Sequence, residues 1–300
     1  MTSNQTILTE INLDDLVSSF GWQKYPLPAS ILRRIFSKPA RKFADQMLGF
    51  DHAVGESNLA EAARRIMRVH YVRDVRVHSR EHLPANRPVL FLSNHPGMAD
   101  TLALFAAINR PDLKIIAIQR PFLETLENTT RQLFFIDDDP AKRVSAVRQV
   151  SSHLKNGGAA LTFPAGEIEP DPDVYEGALD SFNRWTDSAG VFLRFARDAV
   201  IVPTLVSGVI WDVAARHPLT RLKRERYDRE KLAAALQLLA MVARDARPTT
   251  PHVHFAKPIT LEEVGSTDAE AIHQVVIQRM TGLIESAEKD NGVSAIYYDK

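Results

Sequence analysis

Cysteine is absent from the 300-residue chain. Without a thiol, disulfides, thiolate catalysis and cysteine-bound zinc are excluded, and the absence fits a reducing cytoplasm. An excess of charge is missing too. The 37 Lys and Arg residues balance the 37 Asp and Glu residues. No global field therefore favours nucleic acid or an anionic surface, and any such preference must come from local patches. Long apolar runs are lacking: no stretch approaches the ~20 residues needed to span a bilayer. The polar, acidic segment from Met1 to Asp15 has neither the basic start nor the apolar core of a signal peptide. There is no internal repeat, low-complexity tract, phosphate-binding loop or dinucleotide fingerprint.

What is present is ordinary globular composition, 45% hydrophobic and 25% charged, enough for a sizeable core. Residues 1–25 read as weakly ordered. Ser30 is placed to cap a helix through Phe36, which Pro39 would interrupt. Asn58 and Glu61 stand at capping-box spacing before a helix whose Leu59, Ala62, Ala63, Ile66 and Val69 share a face. From Val72 onward, strand-like and helix-like segments take turns. Strands are expected near residues 75–77, 89–93, 114–118, 133–136, 159–163, 199–207 and 253–255. Helices are expected over 100–108, 141–154, 188–198, 228–244 and 268–288. This alternation predicts an α/β fold with a largely parallel central sheet flanked by helices. It suggests a helical N-terminal extension over 1–74 and a main domain over 75–300. Ligands of such sheets bind at the carboxyl ends of the strands.

The segment Phe91-Leu92-Ser93-Asn94-His95-Pro96-Gly97-Met98-Ala99-Asp100 concentrates the chemistry. An apolar strand ends in Asn-His, a Pro-Gly turn follows, and an Asp opens the next helix. A carboxylate on one imidazole nitrogen fixes the tautomer and raises the basicity of the other. The second nitrogen can then take a proton from an attacking hydroxyl or amine. The plainer alternative is that Asp100 caps the helix and His95 is a turn residue.

Asn94-His95 with Asp100 five residues on resembles the Asn-His-x-x-x-x-Asp signature of the glycerolipid and lysophospholipid acyltransferases. Further segments fall in that family's order over about residues 75–290. They are Glu81–Pro84 with Pro88–Ser93, then Leu133–Asp137, then Leu161-Thr162-Phe163-Pro164-Ala165-Gly166-Glu167, then Ile201–Thr204, and finally Lys257-Pro258-Ile259. The resemblance implies a glycerol-phosphate-acyltransferase-like fold. It also implies a fatty acyl group passed from acyl-CoA or acyl carrier protein to a lipid-type acceptor, with no metal or redox cofactor. His95 would be the general base and Asp100 its orienting partner. Asn94, Gly97, Gly166 and Pro203 would surround the acyl donor or oxyanion. Phe135, Asp137, Asp138, Phe163, Pro164 and Glu167 would meet the acceptor.

The chain departs from the family's common third block, Phe-Pro-Glu-Gly-Thr-Arg, by Ala165, Glu167 and Ile168. It also has Asp138 where an arginine often follows the second block. Those arginines are associated with the acceptor's phosphate. The variant third block looks more like the hemolysin-like and ornithine-lipid branch. Asp137, Asp138, Asp139, Glu167, Glu169, Asp171 and Asp173 are expected to make the rim acidic and unsuited to a phosphate monoester. Arg120, Lys142, Arg143 or Arg184 could supply the phosphate contact from elsewhere.

Two basic stretches suit peripheral contact with the inner face of a membrane. The first holds Arg33, Arg34, Lys38, Arg41 and Lys42 among Ile31, Leu32, Ile35, Phe36 and Phe43. The second runs from Arg216 to Arg229. A lipid-binding protein without turnover and an acyl-thioesterase are the rival readings. His252-Val253-His254 is a near miss for metal spacing, and His70, His78 and His82 form no recognisable ligand set.

Overall fold

A computed structural model describes residues 3–137, 139–244, 248–287 and 293–296. Eight strands form one sheet: β1 Val75–His78, β2 Val89–Ser93, β3 Leu113–Ile118, β4 Leu133–Ile136, β5 Ala159–Thr162, β6 Val200–Ser207, β7 His252–Phe255 and β8 Val293–Ile296. Their spatial order is β4-β3-β5-β2-β6-β7-β1-β8. From β4 to β6 every neighbouring pair is parallel. β7 is antiparallel to β6 and parallel to β1, and β8 is antiparallel to β1. The sheet is thus largely parallel, as the alternation predicts. β8 had no signal in the sequence.

Eight longer helices flank it: α1 Ser3–Phe20, α2 Pro26–Glu56, α3 Leu59–Val69, α4 Met98–Ile108, α5 Pro140–Lys155, α6 Ser188–Phe195, α7 Arg226–Arg244 and α8 Ala269–Ala287. Helices cover both faces of the sheet, which is why β2 and β6 are buried along their whole length and read as near-continuous apolar runs rather than alternating ones. Along β2, Val89 and Phe91 join a core cluster with α3 and α4, while Leu90 and Leu92 join a second cluster with α6 and α8. Burying each such side chain contributes about 1.5–3 kcal/mol.

The N-terminal segment departs from the weak order expected of it. Residues 3–20 form α1, whose buried Leu16 and Val17 pack with Leu32 of α2. Arg33 pairs with Glu10 and Asp14, and Asn12 donates to the Ala40 carbonyl at 3.2 Å. α2 starts at Pro26, so Ser30 lies inside the helix, and it runs through Pro39 without a break. The bond that Pro39 cannot make is to the carbonyl of Ile35. That residue is 62% exposed, and α1 packs along the same stretch of α2. Further along α2, buried Asp51 accepts from the backbone N–H and side-chain amide of Asn128 and from the N–H and hydroxyl of Thr129. This fixes the end of α2 to the Glu127–Thr130 turn. Asn58 caps α3, accepting from the Glu61 N–H at 3.0 Å.

Candidate active site

The carboxyl ends of β2, β5 and β6 converge at one edge of the sheet. β2 delivers Asn94 and His95 there. The Asn94 amide extends the β2–β6 ladder by one side-chain rung: its Nδ2 donates to the Val206 carbonyl at 2.8 Å and its Oδ1 accepts from the Val206 N–H at 2.7 Å. Asn94 is 2% exposed, so the rung is sheltered from water. It fixes the point at which the chain leaves the sheet, and His95 is the next residue.

His95 and Asp100 come together as the spacing predicts. His95 Nδ1 lies 2.9 Å from Asp100 Oδ2. The same oxygen accepts from the Gly97 N–H at 2.7 Å, and the other accepts from the Thr101 hydroxyl at 2.8 Å. Asp100 is fully buried, whereas the His95 side chain remains 30% exposed. The helix-capping role and the imidazole-orienting role are therefore compatible, because one carboxylate performs both. Burial pulls the His95 pKa down, but the charge and hydrogen bond of Asp100, with the charge of Glu169, raise it above the ordinary histidine value. Arg120 opposes that rise. The Phe163 ring tilts against the imidazole at 4.5 Å between centroids.

The chain just after the third block supplies a brace that sequence reasoning missed. Glu169 binds His95 through both backbone groups: its Oε2 accepts from the His95 N–H at 3.1 Å, and its own N–H donates to the His95 carbonyl at 2.9 Å. Its Oε1 accepts from the Ser181 hydroxyl at 2.9 Å and Trp185 Nε1 at 2.7 Å. Two residues on, Asp171 accepts from the amides of Gly208, Val209 and Ile210 at 2.7–2.9 Å, holding the chain as it leaves β6. Burial pushes Glu169 up to about 7 and Asp171 up to about 6. Sequence alone marked both as rim acids. They are 1% and 0% exposed and belong to the frame of the site. No local pattern separates a buried carboxylate from a solvated one, and three or four convergent donors become visible only in the fold.

The remaining acids of the proposed rim are largely paired. Glu167 bonds Arg184 at 2.9 Å, and Asp137 bonds Lys142 at 2.8 Å. Asp139 caps α5 through the Ala141 N–H at 2.8 Å. Asp138 lies outside the described residues. Arg120, exposed just beyond β3, acts electrostatically on His95, on Asp15 of α1 and on Tyr227 of α7. Tyr227 and Asp15 had no motif to announce them.

The glycines provide room and turns. The Gly166 N–H closes a turn to the Phe163 carbonyl at 3.0 Å, and its φ of 67° suits glycine. A Cβ on Gly97 would meet Ile210 at 3.3 Å. Both amides are donated within the fold, so neither is a spare oxyanion donor. Pro203, buried opposite Leu92, needs no N–H at that register, and its carbonyl accepts from Ala256 at 2.9 Å. Pro164 is buried in the same turn as Phe163, with its carbonyl accepting from Thr186 at 3.2 Å. Phe135 is half-buried on β4, with β3 and β5 between that strand and β2.

Residues 74–207 match the family model described as Acyltransferase. That span runs from the residue before β1 to the end of β6 and includes His95, Asp100, the third block and Pro203. No curated protein matches the chain. Among solved structures, the 1-acyl-sn-glycerophosphate (LPA) acyltransferase PlsC from Thermotoga maritima aligns over 96% of this chain and 99% of its own, with 14% identity and a TM-score of 0.45.

Proposed function

Taking residues 74–207 as the acyltransferase domain of this enzyme, we propose that it transfers a fatty acyl group from a CoA or carrier-protein thioester to a hydroxyl or amine of a lysolipid or aminolipid. The observation that carries this reading is the His95–Asp100 pair, a half-exposed imidazole bonded at 2.9 Å to a buried carboxylate. With Nδ1 held by Asp100, Nε2 takes the acceptor's proton as its oxygen or nitrogen attacks the thioester carbonyl. The tetrahedral intermediate collapses, the carbon–sulfur bond breaks, and the imidazolium returns its proton to the departing thiolate. The products are the acylated lipid and a free thiol. No acyl-enzyme lies on this route, so thiol release without acceptor has no burst. Glu169 and Asn94 hold the His95 backbone.

The lipid acceptor implies work at a membrane surface. Among the described residues, no helix is long and apolar enough to cross a membrane. Leu27, Ile31 and Ile35 are 77%, 60% and 62% exposed at helical spacing on α2, with exposed Arg34 and Lys38 beside them. Leu222, 75% exposed, sits in the second basic stretch. These residues form the surface we assign to lipid. Arg33, Leu32 and Phe36 do not belong to it, because they turn toward α1.

The branch of the family and the acceptor rest on the altered blocks. Ile168 and Asp138 stand where arginines are usual, which supports an acceptor without a terminal phosphate. A phosphate monoester carries close to two negative charges near neutral pH and needs cationic donors. One observation favours the opposite: Arg120 lies within electrostatic reach of His95. A panel of lysophosphatidate, glycerol-3-phosphate, a lyso-aminolipid and a neutral lysolipid, each with acyl-CoA and with acyl carrier protein, separates the two. The expected result is acylated lipid with the phosphate-free acceptors and little with lysophosphatidate. Lysophosphatidate as best acceptor, with use of it abolished by Arg120→Gln, would establish the anionic reading instead. Free fatty acid as the sole product from every acceptor would sink acyl transfer in favour of a thioesterase.

A further inference from the structure

β7 opens with histidines at alternate positions, and alternate residues of a strand share a face. The register with β6 places His252 beside Ser207 and His254 beside Leu205. Parallel pairing with β1 then sets His78 across from His254 and Arg76 across from His252. Two histidine groups that were separate and unremarkable in the sequence thus meet on one face of the sheet.

Their geometry is close. His78 Nε2 lies 3.1 Å from His252 Nδ1. The His78 and His254 rings stack with centroids 3.9 Å apart. One ring nitrogen from each of the three lies within 4.8 Å of the others. Zinc–nitrogen bonds of ~2.0–2.1 Å in a tetrahedron place two donors about 3.3 Å apart. His78 and His252 already stand near that separation, while the His78 and His254 rings lie within 10° of parallel, so one of them must turn out of the stack for both to aim a nitrogen at one ion. His78 and His254 are 2% and 4% exposed, so the donors are withdrawn from bulk water, while half-buried His252 leaves a way in. Two carboxylates lie within electrostatic reach, outside the three-histidine group. Asp74 and Asp173 both act electrostatically on His252. One oxygen of Asp74 is buried without a hydrogen-bond partner among the described residues. Arg76 is the opposing charge on that face, and its side chain is exposed.

We infer that His78, His252 and His254 form a binding site for a divalent transition-metal ion of the zinc class, with an aspartate or water as fourth ligand. Nitrogen and carboxylate donors suit zinc, and nickel or copper would compete for them. The ion would tie β1 to β7, bracing the part of the sheet beyond the acyltransferase strands. It has no part in the transfer step.

The test uses the full chain without an affinity tag, dialysed against zinc and analysed for metal, with cobalt absorption as the reporter of tetrahedral nitrogen ligation. One ion per chain is expected. His252→Asn should weaken binding by more than the ~10–100-fold that loss of an outer-shell partner costs, and zinc should raise the Tm of the parent but not of this variant. His52→Asn, on exposed α2 surface, should bind as the parent does. His254 is buried and its variant can misfold, so His252→Asn, checked by circular dichroism, carries the decision. A parent chain that takes up no stoichiometric ion, or a His252→Asn chain that binds unchanged, overturns the site and leaves a hydrogen-bonded imidazole stack.

Discussion

At the scale of single residues, the pair at the end of β2 makes sharp demands. His95→Ala removes the proposed base without opening the core, since the side chain is part-exposed. Turnover should fall by roughly 10²–10⁴-fold with the circular dichroism spectrum unchanged; near-normal turnover would rule out His95 as base. Asp100→Asn tests the electrostatics. The base acts only when neutral, so kcat/KM should fall as pH drops through the raised pKa of His95, an acid limb above the ordinary histidine value. Without the carboxylate that limb should move to lower pH, and the maximum rate should drop because the tautomer is no longer fixed. A limb that stays in place would mean that another group sets the profile. Asn94 shows why some residues resist sequence reading. Its position in the motif suggests contact with the reacting atoms, yet both ends of its amide are taken by Val206.

At the scale of elements, the loop after β5 matters as much as the helix after β2. Glu169 belongs to no secondary structure, but it joins β2, the Ala178–Arg184 segment and Trp185 through one carboxyl group. Its folded pKa of about 7 lies above the ordinary 4.5. The folded state therefore binds the proton more tightly, and the associated stability is present below pH ~4.5 and lost as pH rises through ~7. Glu169→Gln does not titrate. The unfolding free energy of the parent relative to this variant should decline between those limits and level off above, by a span of roughly 3 kcal/mol. A difference that is flat with pH would show that Glu169 keeps its charge throughout. What the sequence showed at this scale follows from local physics. Asn58, the pair Gly157-Gly158 that stops the helix before it, and the apolar run of β2 each mark an element by themselves. α1 and the unbroken α2 were illegible because each depends on the other: an acidic, polar segment and a proline-bearing one become helices by packing together. The histidine set on β1 and β7 was illegible for a related reason, since pairing residues about 175 positions apart is a property of the sheet.

Across the whole molecule, zero net charge hides an uneven surface. The apolar stripe of Leu27, Ile31 and Ile35 stands beside Arg34 and Lys38. Apolar burial should supply most of the lipid affinity and the cations a salt-sensitive remainder. Replacing the three apolar residues with serine should weaken binding to anionic vesicles severalfold at every salt concentration. Arg34→Gln with Lys38→Gln should matter mainly at low salt. Activity on a detergent-dispersed acceptor should be spared in both, and unchanged vesicle binding would place the lipid contact on another face.

α2 spans the distance between that surface and the Asp51 anchor, and Pro39 sits between them. The missing N–H at 39 leaves the helix one bond short, yet α1 is fastened on either side of the gap, through Arg33 to Glu10 and Asp14 and through Asn12 to the Ala40 carbonyl. α1 is therefore a splint laid across the weak point of the longer rod, and it carries what the proline cannot.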